Sequence, residues 1–117
     1  MIELAIVLFC IAATGGITIV SLILMKRNPP WWLSIAHASM GASGLVLLLV
    51  ELISKEDVVI TIKVAFVIFC VTALGGFALA SFHFRKKRHP RFLIFVHALL
   101  AVTALSTLLA GYFGLAG

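Results

Sequence analysis

Residues 15–39 read GGITIVSLILMKRNPPWWLSIAHAS, and residues 75–99 read GGFALASFHFRKKRHPRFLIFVHAL. Both stretches run from a double glycine through an apolar segment to a short basic loop, a proline and then a histidine. The offset is sixty throughout, and extending it over residues 5–53 and 65–113 gives sixteen identities without a gap. Matching leucines and alanines carry little weight in so apolar a chain. The rarer matches carry more: Phe9-Cys10 with Phe69-Cys70, Gly15-Gly16 with Gly75-Gly76, Pro30 with Pro90, and His37 with His97. They mark a duplication, with repeat one at about 1–56 and repeat two at about 61–117 of a single 1–117 domain.

Working outward from the loops, four stretches lack any Asp, Glu, Lys or Arg: residues 4–25, 31–50, 64–84 and 92–117. Each is close to the ~20 residues a helix needs to cross the hydrocarbon layer. Backbone polar groups find no water there, so a spanning segment satisfies them internally as a helix. With 63% hydrophobic residues and a mean hydropathy of +1.25, little chain remains for anything else. The expected fold is all-α: an integral membrane four-helix bundle of two tandem two-helix repeats, with pseudo-twofold symmetry about the membrane normal. The first span opens on Glu3 and has an internal copy, which argues against a cleaved signal peptide.

The net charge of +5 is not a nucleic-acid footprint, because of where the charge lies. Lys26, Arg27, Arg85, Lys86, Lys87, Arg88 and Arg91 fall in two short loops, whereas Glu51, Lys55, Glu56, Asp57 and Lys63 nearly cancel around the middle connection. By the positive-inside rule, loops 26–30 and 85–91 are cytoplasmic and both termini lie on the other side of what is expected to be a bacterial inner membrane. Trp31 and Trp32 suit the interfacial aromatic belt.

Prolines favour the first turn of a helix, so the second and fourth helices are expected to start at Pro30 and Pro90. His37 and His97 lie seven residues further on, at about 10 Å depth by the helical rise. An ionisable group inside the hydrocarbon is a functional residue by default. Ser34, His37, Gly41 and Gly44 share a face, as do His97, Ala101 and Ala104, while Gly16 and Gly76 reach a similar level from the other helices. Such small residues allow close helix contact, or leave room for something large and flat. In sequential up-down order, helices two and four lie on a diagonal of roughly 11–14 Å, given neighbouring axes 8–10 Å apart. Two imidazoles reaching inward leave room for one iron. His37 and His97 are therefore the candidate metal ligands, with Gly16, Gly76, Gly41 and Ala101 as candidate cofactor contacts. Zinc fits poorly, since Cys10 and Cys70 lie toward the opposite face, and both read as small buried hydrophobes. His83 and His89 read as solvated interfacial residues, with His83 still able to touch the edge of a cofactor or to move protons near a quinone.

These residues together, namely His37, His97, the paired glycines and the basic inner loops, resemble those of small b-type membrane cytochromes of the cytochrome b561-like kind. That resemblance implies haem b in a four-helix core. Two well-placed histidines where such proteins commonly carry four imply one haem per chain. It further implies electron transfer with a quinone or quinol or a redox partner protein, hence an oxidoreductase component at most, with no independent catalytic residues. Lys26, Arg27, Lys86 and Lys87 are suited to the haem propionates, because charge-assisted contacts to carboxylates are strong. Besides the lipid bilayer, a second copy of the chain is a candidate partner, and a haem shared between copies stays open. Two further classes stay open as well: a small transporter or channel, and a structural subunit whose histidines merely join helices.

Overall fold

A computed structural model describes residues 1–115. It holds four helices: α1 (Ile2–Leu24), α2 (Trp31–Ser54), α3 (Ile60–Phe84) and α4 (Arg91–Tyr112). All four are long and apolar enough to cross a membrane, and the bundle measures 45 × 22 × 19 Å. The chain is an integral membrane protein.

The helix ends follow local chemistry. Pro30 and Pro90 have extended ψ values of 142° and 126°, so they stand just before α2 and α4 and not within their first turns. The expected start is therefore one residue early: proline fixes φ, but ψ stays free to turn the chain into the helix. The other ends close by backbone bonds. Lys26 N donates to Ile23 O and Arg27 N to Leu22 O, and Lys86 N and Lys87 N donate to His83 O and Phe82 O. This is a Schellman closure, which needs a left-handed residue and usually takes glycine. Here lysine fills it twice, with φ of 60° at Lys26 and 55° at Lys86.

α1 packs along α2 and α3 along α4, and the two hairpins meet through α2–α3 and α1–α4. The helices therefore stand in a square, with α2 and α4 on one diagonal, as the sequence predicts. Both basic loops lie at one end. The core fills the other half: Ile2, Ala5, Phe9, Leu48, Ile62, Ala65, Phe69, Ala104 and Leu108. Ala5 and Ala65 are fully buried, and their size brings the helices close enough for Phe9 and Phe69 to stack across the axis. Those rings lie 3.8 Å apart and 5° from parallel. Gly44 makes space for Phe9, since a Cβ there would stand 2.8 Å from its ring. At the same end Glu51 is buried on α2 and accepts a 2.7 Å hydrogen bond from Lys55. That bond, with the carboxylate charge behind it, holds the Lys55 ammonium above its ordinary pKa.

Hydroxyls on the spanning helices are mostly satisfied within their own helix. Thr14, Thr18, Thr72, Thr103 and Thr107 each donate to the carbonyl four residues back. In hydrocarbon, where no water competes, this is the cheap way to carry a hydroxyl.

Candidate histidine site between the hairpins

The double glycines explain how an imidazole is anchored at this depth. In a helix the Cα–Cβ bonds tilt toward the N-terminus, so residues i+3 and i+4 cover the carbonyl of residue i. With Gly15 and Gly16 at those positions, the Ala12 carbonyl is left bare, and Gly75 and Gly76 do the same for Thr72. His37 on α2 and His97 on α4 fill the two notches. A Cβ on Gly16 would stand 3.0 Å from His37 Cε1, and one on Gly76 would stand 3.1 Å from His97 Cε1. A Cβ on Gly15 would stand 3.6 Å from His37 Cβ and 3.9 Å from its Nδ1, and one on Gly75 would stand 3.6 Å from His97 Nδ1.

His37 Nδ1 lies 2.7 Å from the Ala12 oxygen, and His97 Nδ1 lies 3.0 Å from the Thr72 oxygen. A carbonyl only accepts, so each Nδ1 carries the proton and donates it. In the neutral ring Nε2 then keeps its lone pair. Both imidazoles are partly buried, with ring centres 6.3 Å apart and planes at 82°. Two imidazoles bonded end-on to one metal ion, at about 2 Å per bond, stand roughly 6 Å apart between centres. By spacing and donor type, His37 and His97 are thus two residues that could hold one metal ion between them. The carbonyl partners also suit that role, because a hydrogen bond at the far nitrogen orients a ligating histidine and raises its basicity.

The remaining candidate residues fall less closely together. Gly16 and Gly76 contact the imidazoles, so the space they make is occupied by the rings themselves. Gly41 is partly buried, and a Cβ there would meet nothing within 4 Å. Ala101 is likewise partly buried, while Lys26, Arg27, Lys86 and Lys87 are exposed at the basic end. Cys10 and Cys70 are free thiols, and among the described residues no three His, Cys, Asp or Glu side chains form a metal-binding group.

Sequence reasoning missed a second cluster, one turn nearer the basic end. His83 Nδ1 lies 3.4 Å from Ser34 Oγ, linking α3 to α2, and the His83 and His89 rings are 5.9 Å apart, edge to face. All three side chains are partly buried and not freely solvated. Burial, and then the charge of His83, pull the His89 pKa below its ordinary value. The missed signal was Ser34 on the face of His37, read there only as a small residue.

Comparison with models of known families, with curated proteins and with solved structures gives no match.

Proposed function

We propose that this protein binds one haem b inside the membrane, with His37 and His97 as its two axial ligands, and serves electron transfer with a quinol or a redox partner protein. The observation that carries this reading is the pair of imidazoles, each pinned through Nδ1 to a backbone carbonyl, with the ring centres 6.3 Å apart. In this reading the two hairpins are copies related by a pseudo-twofold axis along the membrane normal. The equivalence of the Ala12–His37 and Thr72–His97 bonds at the offset of sixty supports that relation. The positive-inside rule puts the basic loops in the cytoplasm.

The chain's own part is orientation and exclusion. The carbonyls of Ala12 and Thr72 hold the rings against rotation and fix the tautomer, and the glycines let the rings reach them. The core around Phe9 and Phe69 closes the opposite half of the bundle to water. At the basic end, Lys26, Arg27, Lys86 and Lys87 offer charge to carboxylates. Haem would supply a one-electron couple, which none of the side chains provides.

One observation favours a second reading. The same two hydrogen bonds tie α1 to α2 and α3 to α4, which is what a purely structural subunit needs. An absorption spectrum separates the two. Protein purified from cells supplied with haem is expected to be red, with a Soret band and a low-spin reduced spectrum. A colourless protein that folds normally leaves the histidines as interhelical pins.

A further inference from the structure

The two hairpins differ where they meet near the basic end. At the α2–α3 corner stand Ser34, His83 and His89, and their counterparts at the offset of sixty are Ile94, Ile23 and Pro29. Ile94 is 2% exposed and Pro29 is buried, so the α4–α1 corner is closed by apolar packing. A bundle that closes one corner with Ile94, Ile23 and Pro29 does not need polar groups to close the other. Polar groups inside a membrane protein are costly and mark ion or proton paths. Ser34 Oγ and His83 Nδ1 are 3.4 Å apart, and the His83 and His89 ring centres are 5.9 Å apart, edge to face; a proton can cross such a separation through one water. Ser34 lies three residues before His37, about one helical turn away.

We propose that Ser34, His83 and His89 form a one-sided proton entry path, from the water at the basic end to His83, about one turn short of the intramembrane histidine pair. A proton taken up by His89 passes to the free ring nitrogen of His83, whose other nitrogen then donates to Ser34 Oγ. His83 is the last acceptor, and the proton returns to the water through His89. No electron moves and no bond other than those to hydrogen changes. The charged groups around this corner are all cations: Arg85, Lys86, Lys87 and Arg88 beyond α3, Arg91 at the start of α4, and Lys26 and Arg27 beyond α1. The carboxylates Glu3, Glu51, Glu56 and Asp57 belong to the other end. Imidazole titrates near neutral pH, which suits such a carrier.

What the proton compensates rests on the haem reading: an electron arriving between His37 and His97 adds negative charge in a low-dielectric interior. The test therefore has two arms, both on the full chain in lipid. In the first, nitrogen NMR follows the His83 side chain with pH. His83 is expected to titrate and to exchange protons rapidly with water, and His89→Gln is expected to slow that exchange at least tenfold. A His83 silent between pH 5 and 9, or exchange unaffected by His89→Gln, overturns the path whether or not haem is present. In the second arm, the midpoint potential of haem-loaded protein is expected to fall with rising pH. The limit is about 59 mV per tenfold change in proton concentration for a one-electron couple. His83→Gln is expected to flatten that slope, while Ile23→Gln at the apolar corner leaves it unchanged. A slope equal in wild type and His83→Gln also overturns the path. A colourless protein with the expected His83 exchange overturns the haem reading alone.

Discussion

Gly16 presses its bare Cα against the imidazole of His37, so that a methyl group there would stand 3.0 Å from Cε1. The glycine is thus a fitted seat for the ring and not a gap awaiting a ligand. Gly16→Ala and Gly76→Ala are each expected to push the imidazole off its carbonyl, at about 1–3 kcal/mol for overpacking. Haem affinity is expected to fall by roughly tenfold or more, at 1.4 kcal/mol per decade. Titration of haem into refolded variants checks this. Unchanged affinity in both would mean that the rings tolerate displacement.

The pair of histidines makes a joint demand. His37→Ala and His97→Ala are each expected to abolish the six-coordinate low-spin spectrum, since one imidazole cannot occupy two axial positions. His83→Ala and His89→Ala are expected to leave that spectrum at fixed pH nearly as it was. Loss of haem in His83→Ala but not in His97→Ala would falsify the assignment of ligands.

Lysine in the left-handed region, at φ 60° for Lys26 and 55° for Lys86, predicts a gain on substitution. A side chain there costs about 1–2 kcal/mol, partly offset because glycine is freer when unfolded. Lys26→Gly and Lys86→Gly are therefore expected to stabilise the bundle by up to about 1 kcal/mol each, in unfolding by denaturing detergent. If stability falls instead, the lysine side chains make contacts worth more than the strain.

His89 gives the acid limb a sign. Its pKa is lowered in the folded protein by burial and by His83, so the unfolded chain binds the proton more readily. Its share of stability is therefore full above the unfolded pKa of about 6.5 and is lost as pH falls through the lower folded value. His89→Gln is expected to flatten the decline in stability below neutral pH. An acid limb of unchanged slope would assign that decline to other groups.

Both basic loops lie at the same end of the bundle, so a cysteine placed at position 28 and one at 88 are expected to react from the same side of a sealed membrane. The charge distribution predicts the cytoplasmic side, and labelling of both from outside would reverse the orientation.

The four spans, the hairpin loops and the square were legible because hydrocarbon thickness, basic loops and chain connectivity leave direct marks on sequence. That His37 and His97 fall at the same place along α2 and α4 was legible from their spacing after the prolines. Their anchors were not: the acceptors are main-chain oxygens, and Ala12 and Thr72 have no side chain in common to announce the role. Nor was the Phe9–Phe69 stack, because an inward phenylalanine in an apolar run reads like Phe77, which is 68% exposed. The bonded pair of Ser34 and His83 joins residues 49 apart on different helices, and no periodicity reports such a meeting.

Anchoring a functional ring on main-chain oxygen has a genetic consequence. No point mutation deletes a carbonyl, so positions 12 and 72 are held only by the packing of their buried side chains, and alanine and threonine already serve there. The burden passes to the residues that keep the oxygen uncovered. In a saturation library selected for function, tolerance of small residues of any chemistry at 12 and 72 beside intolerance at 16 and 76 is the signature this arrangement leaves in a population of sequences.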